Sequence, residues 1–156
     1  MDVAAVADVT GSVRVIVVDD DPLVRAAIAM ILGRAPGVEV VGEAADGAEV
    51  LTAVDKYAPD VVLMDIRMPR LDGFGVLKKM RQEERTRFVP VVMLTSSDHP
   101  EDVGRAYEMG ANGYLDKFSD EVRWDEMVRA AVRYWVRMNI TPYSLVGQDN
   151  GFSRGV

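Results

Sequence analysis

The sequence "VRVIVVDDDP", residues 13–22, joins an apolar run directly to three consecutive aspartates. A continuous β-branched run of this kind is typical of a strand that is covered on both faces, as in a parallel sheet. Two carboxylates about 4 Å apart repel each other by about 4 kcal/mol at an effective dielectric of about 20, so such a cluster needs compensating charge. The stretch therefore predicts a buried strand with a functional site at its carboxyl end.

Apolar runs and helix-period segments alternate along the rest of the chain. The predicted strands cover residues 13–18, 38–42, 60–64, 89–95 and 113–116. The predicted helices cover residues 22–34, 47–57, 73–84, 99–109 and 120–139. This alternation predicts an α/β fold, in which right-handed crossovers place helices on both faces of a parallel sheet. Functional sites in such folds lie outside the carboxyl ends of the strands.

The composition limits the classes of function. The chain has 156 residues, no cysteine and a net charge of -7. The length predicts one domain, and the absence of cysteine excludes disulfides and thiolate metal sites. The negative charge argues against direct nucleic-acid binding, which needs clustered lysine and arginine. No apolar run approaches the roughly 18 residues of a membrane span and the start lacks a signal-peptide pattern, so we expect a cytoplasmic protein without a membrane partner.

Polar residues fall at four of the predicted strand ends. Asp19 and Asp20 follow strand 1, Asp65 follows strand 3, Thr95 ends strand 4 and Lys117 follows strand 5. Strand-end aspartates in an open cleft suit Mg²⁺, which takes carboxylate oxygens, waters and a substrate phosphate in octahedral array. Lys117 is predicted to supply further neutralising charge. With a cation, a lysine and a hydroxyl around it, Asp65 would face groups that stabilise charge on a transferring phosphoryl group.

In these features the chain resembles a response-regulator receiver domain of two-component signalling, over about residues 12–139. The resemblance rests on five ordered elements: the pair Asp19 and Asp20, Asp65 in "LMDIRMPRLDG", Thr95 in "VVMLTSS", Tyr114 in "GANGYL", and Lys117. It implies a flavodoxin-like, doubly wound, five-stranded parallel sheet of order 2-1-3-4-5 with five helices. Residues 1–11 would then be a flexible N-terminal segment, and residues 140–156 a C-terminal tail or the start of a linker.

The resemblance also implies a phosphoacceptor site. Asp65 would accept a phosphoryl group from a phosphohistidine on a sensor histidine kinase or a histidine phosphotransfer protein. Asp19 and Asp20 would hold Mg²⁺ together with the Asp65 carboxylate and the backbone carbonyl of Arg67. The chain would assist its own phosphorylation and dephosphorylation, and it would not be a turnover enzyme.

The remaining site residues imply a switch. Lys117 would pair with Asp65 or with phosphoryl oxygens, and Thr95 would hydrogen-bond the phosphoryl group. Movement of Thr95 would let Tyr114 turn inward and bias a two-state surface formed by helix 4, strand 5 and helix 5. That surface would control a downstream protein or effector domain, and it is also a candidate homodimer interface.

Simpler structural roles remain open for these residues. Asp21 is predicted to be the N-cap of the helix that begins at Pro22 rather than a metal ligand. The only histidine, His99, is predicted to be a surface residue. The patterns are also compatible with turn residues at Asp19 and Asp20, a solvated loop at Asp65, a plain strand end at Thr95, a surface ion pair at Lys117 and core packing at Tyr114.

Two other functions and one local departure stay open as well. One alternative is a receiver-like interaction module that is never phosphorylated. The other is a magnesium-dependent aspartyl-phosphate phosphohydrolase, which needs a second aspartate two positions beyond the nucleophile, where this chain has Arg67. Phe118 stands where the family has proline after a cis bond, so the bond before it is either a strained cis or a trans bond. The sequence is compatible with a stand-alone receiver and with a receiver excised from a longer regulator.

Overall fold

A computed structural model describes residues 12–95 and 99–117, together with residues 126–127, 129–131 and 133–134. The strands are β1 (Val13–Val18), β2 (Val38–Ala44), β3 (Val61–Asp65), β4 (Val91–Thr95) and β5 (Gly113–Asp116). The helices between them are α1 (Pro22–Gly33), α2 (Gly47–Tyr57), α3 (Gly73–Gln82) and α4 (Pro100–Glu108). The described residues between 126 and 134 are helical and belong to a fifth helix, α5. The predicted order of strands and helices is confirmed.

All five strands form one parallel sheet in the order β2-β1-β3-β4-β5. The register places Val18 beside Met64, and Thr95 beside Asp116. The flavodoxin-like, doubly wound topology is therefore confirmed. Because parallel strands all end at the same edge of the sheet, the residues that follow β1, β3, β4 and β5 lie close together.

Two hydrophobic clusters cover the two faces of the sheet. Alternate residues of a strand point to opposite faces. Ile16 and Val18 accordingly pack in one cluster with residues of α2, α3 and α4, whereas Val15 and Val17 pack in the other with residues of α1. Met64, Met80 and Met93 are fully buried in this core.

Helix termini follow local sequence signals. Asp21 is the N-cap of α1: its Oδ1 accepts hydrogen bonds from the backbone N–H groups of Leu23 at 2.9 Å and Val24 at 3.4 Å. Pro22 takes the first turn of the helix, so the predicted capping role of Asp21 is confirmed. His99 is the exposed N-cap residue of α4.

Several element boundaries differ from the prediction. β4 begins at Val91 rather than at residue 89, because Pro90 has no N–H to give to the ladder and contributes only its carbonyl, which accepts from Val62 N at 2.9 Å. α3 ends at Gln82 because Glu83 adopts an extended backbone. β2 continues to Ala44, whose carbonyl accepts from Asp19 N at 3.1 Å. Among the described residues, no helix is long and apolar enough to cross a membrane.

Candidate functional site

Three carboxylates meet at the carboxyl edge of the sheet. Oxygen atoms of Asp19, Asp20 and Asp65 all lie within 4.8 Å of one another. Asp19 and Asp65 are 1% and 5% exposed, whereas Asp20 is exposed to solvent. A hard cation could therefore bind to buried oxygens on one side and keep several waters on the other, which is the coordination that Mg²⁺ prefers. The donor set fits a divalent cation.

Lys117 brings positive charge into this cluster. Its Nζ lies 3.1 Å from Oδ1 of Asp65 and forms a second ion pair with Oδ2 of Asp19, and the residue is only 6% exposed. The backbone holds it there, because Lys117 N donates to the carbonyl of Thr95 at 2.9 Å. One ammonium against three carboxylates leaves net negative charge for a cation.

The Asp65 carboxyl has an altered protonation equilibrium. Burial raises the pKa of Asp65 to about 6, and the charges of Asp19 and Asp20 act in the same direction. Lys117 opposes this rise, both as a nearby charge and as a hydrogen-bond donor. At pH 7 the carboxylate form of Asp65 still predominates, and this is the form that can attack as a nucleophile.

Asp19 is fixed in orientation by its neighbours. Its Oδ1 accepts from Asp21 N at 2.9 Å, while Oδ2 is paired with Lys117. Its backbone carbonyl accepts from Nη1 of Arg25 at 2.7 Å, and Nε of Arg25 lies 3.3 Å from Oε1 of Glu43. These contacts hold the Asp19 carboxylate toward Asp65 before any ligand binds.

The segment after Asp65 turns tightly into α3. Gly73 N donates to the carbonyl of Ile66 at 2.8 Å, which closes the base of the loop formed by residues 66–72. A Cβ on Gly73 would lie 2.3 Å from the Asp65 carbonyl oxygen, so this approach needs glycine. The predicted role of the Arg67 backbone carbonyl as a metal ligand stays a prediction.

The side chain of Arg67 points away from the cluster toward α4. Its Nη2 lies 3.5 Å from Oδ2 of Asp102, and the side chain is 72% exposed. Exposed ion pairs of this kind contribute little stability, because water screens them and both side chains lose freedom. The contact nevertheless joins the loop after the phosphoacceptor candidate to α4.

Thr95 and Tyr114 occupy the strands beside the cluster. Thr95 is completely buried at the end of β4. Tyr114 lies on β5 opposite Met93. It is partly buried and packs against the hydrophobic cluster that contains residues of α3 and α4. The structure thus brings the carboxylates of Asp19, Asp20 and Asp65 close together, with Lys117 paired to Asp19 and Asp65 and bonded through its backbone to Thr95. The roles predicted for Thr95 and Tyr114 stay predictions, and the peptide bond to Phe118 lies outside the described residues.

Sequence reasoning missed the importance of Asp46, the N-cap of α2. Its carboxylate is 4% exposed and accepts from Ala48 N at 3.0 Å and from Arg70 N at 3.2 Å. The hydrogen bond from Ala48 lowers the pKa of Asp46, and the backbone and guanidinium of Arg70 lower it further. The pair Asp46-Gly47 before a helical pattern signals the cap, but nothing in it signals the partner in the loop 66–72.

Comparisons with known proteins agree with this geometry. The pattern of the response regulator receiver domain matches residues 15–129. NarP, a nitrate/nitrite response regulator protein of Escherichia coli, is 37% identical over 120 residues, which are 77% of this chain and 55% of NarP. RpaA of Synechocystis, named a DNA-binding dual master transcriptional regulator, is 33% identical over 120 residues, which are 77% of this chain and 49% of RpaA.

A solved structure shows the same likeness. The signal receiver domain of NarL from Mycobacterium tuberculosis has a TM-score of 0.73 and 35% sequence identity. The match covers 83% of this chain and 99% of that one. By contrast, this chain spans only about half the length of the two curated relatives.

Proposed function

The chain belongs to the response regulator receiver domain family, and from that premise we propose that Asp65 accepts a phosphoryl group from a phosphohistidine of a sensor histidine kinase or histidine phosphotransfer protein. As a receiver domain it is not a turnover enzyme. The observation that carries the proposal is the buried Asp65 carboxylate, 3.1 Å from Lys117 Nζ and within 4.8 Å of Asp19 and Asp20 oxygens. Positioning and charge neutralisation are what phosphoryl transfer requires of a protein.

The proposed step is a substitution at phosphorus. An oxygen of Asp65 attacks the phosphorus, the bond from phosphorus to the histidine nitrogen breaks, and its electron pair returns to the imidazole, which takes a proton from solvent. Mg²⁺ held by Asp19, Asp20, Asp65 and the Arg67 carbonyl would supply charge neutralisation to the phosphoryl oxygens. Lys117 and Thr95 contribute an ammonium and a hydroxyl to the same oxygens.

Switching is proposed to follow from contacts that run from this site to α4 and β5. Phosphorylation would draw Thr95 toward the phosphoryl group and let Tyr114 turn inward. The ion pair of Arg67 with Asp102 is a second contact by which a change in the loop 66–72 would reach α4. The surface of α4, β5 and α5 would then change its affinity for a partner, which could be a second copy of the chain.

The kinase is proposed to dock on α1 beside the acidic cluster. Leu23 and Met30 are 80% and 56% exposed, and a spacing of seven positions places both on one face of the helix. Exposed apolar side chains on the helix that follows Asp19 and Asp20 suit a protein partner. A Leu23→Ser variant should be phosphorylated more slowly by the cognate kinase, but at an unchanged rate by phosphoramidate. Equal rates with the kinase would remove this docking face.

The output is proposed to lie outside the receiver unit. We place that unit at residues 12–139, between an N-terminal segment 1–11 and a tail or linker 140–156. RpaA is named a DNA-binding regulator, and the match covers about half of it. A protein or effector domain beyond the matched region would therefore deliver the response, in the cytoplasm, without direct nucleic-acid binding by residues 12–139.

Phosphorylation by a small donor tests the proposed function. Incubation with phosphoramidate and Mg²⁺ should add one phosphoryl group by intact mass spectrometry, and EDTA should prevent it. Asp65→Asn should abolish the adduct. Asp72→Asn is the matched control, because it makes the same change of charge at an exposed N-cap on the same loop. No adduct with several donors, or an undiminished adduct in Asp65→Asn, would favour the interaction module that is never phosphorylated.

A further inference from the structure

The loop formed by residues 66–72 is fixed at its outer part by the turn that leads into α2. Oδ2 of Asp46 accepts from the backbone N–H of Arg70 at 3.2 Å, and Nε of Arg70 lies 3.7 Å from the same oxygen. Next to it, a Cβ on Gly47 would lie 2.0 Å from the carbonyl oxygen of Leu71. The two turns are therefore in direct backbone contact, with a carboxylate across the junction.

Burial makes this contact stronger than the ion pair between Arg67 and Asp102. Asp46 is 4% exposed and its second oxygen is engaged by Ala48 N at 3.0 Å. Removing a buried acceptor leaves its donors without compensation, whereas the exposed pair of Arg67 and Asp102 is readily replaced by water. Asp46 is thus a principal fixing point of the outer loop.

The position of this loop matters for the acidic cluster. The loop begins one residue after Asp65, and its base is closed by the hydrogen bond from Gly73 to Ile66. Arg67, whose backbone carbonyl is the proposed fourth metal ligand, lies between that base and the residue that Asp46 holds. Displacement of the outer loop would therefore move a ligand without touching the three carboxylates.

We infer that Asp46 is a positioning residue that sets the affinity for Mg²⁺ by holding the loop that carries the Arg67 carbonyl. This inference rests on the proposed function, because it takes Arg67 as a ligand. Residues that orient metal ligands typically change metal affinity by about 10- to 100-fold. Since Asp46 acts on one of four proposed ligands, we expect Asp46→Asn to weaken Mg²⁺ binding by about 3- to 10-fold.

Titration with Mg²⁺ followed by NMR tests the inference on the whole chain. Amide signals at the end of β1 report binding, and the dispersion of the spectrum reports folding in the same sample. Asp55→Asn is the charge-matched control, because it makes the same substitution at an exposed position of α2, the helix that Asp46 caps, away from the acidic cluster and the loop. Arg70→Ala is the second control, because it keeps the backbone N–H that donates a hydrogen bond to Asp46. Both controls should bind Mg²⁺ within about twofold of the wild type.

A kinetic readout separates positioning from a general loss of structure. In Asp46→Asn, the Mg²⁺ concentration that half-saturates phosphorylation by phosphoramidate should rise by the same factor, while the rate at saturating Mg²⁺ stays within about twofold. Asp46→Ser keeps one capping oxygen for Ala48 N but has no second oxygen to accept from Arg70 N. It should show the same two changes as Asp46→Asn. It serves in place of Asp46→Asn if that variant does not fold.

The outcomes distinguish this inference from the function on which it rests. If the wild type neither binds Mg²⁺ nor gains a phosphoryl group, the proposed function fails. If the wild type does both, and a folded Asp46 variant matches it in Mg²⁺ affinity, the positioning role is wrong. An equal loss of affinity in Asp55→Asn would also overturn it, because loss of charge alone would then explain the effect.

Discussion

Replacement of Lys117 by methionine should destabilise the folded protein, because it leaves two buried carboxylates side by side. At the 3.1 Å between Lys117 Nζ and Asp65 Oδ1, the attraction is about 5 kcal/mol at an effective dielectric of about 20. Carboxylate oxygens within 4.8 Å repel each other by about 3 kcal/mol on the same scale. Part of this is offset because the lysine no longer has to be buried. Loss of one partner of a buried pair typically costs about 3–5 kcal/mol, which is the expected loss here.

Urea unfolding near pH 8, with and without Mg²⁺, measures this loss. The control is Lys78→Met, which makes the same substitution at an exposed position of α3 and should change the free energy of unfolding by less than about 0.5 kcal/mol. Added Mg²⁺ should stabilise Lys117→Met more than the wild type. The cation then takes over the neutralisation of Asp19 and Asp65, and a ligand that binds the folded state more tightly stabilises it more.

Two results would show that Lys117 does not neutralise the acidic cluster. If the free energy of unfolding of Lys117→Met lies within about 1 kcal/mol of that of the wild type, the ion pairs of Lys117 with Asp19 and Asp65 do not offset the repulsion in the acidic cluster. If Mg²⁺ stabilises both proteins equally, the lysine and the cation do not share the same carboxylates.

Three further predictions concern stability. Arg81→Met should lower the free energy of unfolding by about 2–4 kcal/mol in urea, since the guanidinium donates to the carbonyls of Gly110 at 2.8 Å and Val89 at 2.8 Å; an unchanged midpoint would contradict this. Gly104→Ala should raise that free energy by about 0.5–1 kcal/mol, because nothing lies within 4 Å of the added Cβ in α4; a loss would contradict it. The wild type should have a higher free energy of unfolding than Asp46→Asn. This difference should be full above the unfolded pKa of 3.8 and should shrink as pH falls through the lower folded pKa of Asp46. Urea unfolding between pH 3 and 7 would show the change, and a difference that is independent of pH would count against it.

The residues at strand ends could be predicted from the sequence, because the topology alone brings them together. Asp19 and Lys117 are 98 positions apart, yet both follow strands of one parallel sheet, and their contact follows from the strand order. The cap at Asp21 could be predicted equally well, because the two N–H groups that donate to it lie two and three residues away. Periodicity and local turn chemistry determine both kinds of feature.

Contacts between loops could not be predicted in the same way. Asp46 meets Arg70 across 24 residues, and Arg67 meets Asp102 across 35. Each contact depends on the path of an irregular segment over the edge of the sheet. Hydrophobic periodicity does not determine that path. The start of β4 has a different cause: the apolar pattern includes residue 89, but Pro90 has no N–H and joins the ladder only through its carbonyl, so the strand begins at Val91.

Asp65 itself is proposed to carry the phosphoryl group, and chemical trapping can locate the residue that carries it. Borohydride reduces an aspartyl phosphate to homoserine, and peptide mapping by mass spectrometry then locates the reduced residue. After phosphorylation with Mg²⁺, we expect homoserine at position 65, and none there when the donor or Mg²⁺ is omitted. Homoserine at position 19 or 20 instead, or a phosphorylated chain that yields no homoserine, would contradict it.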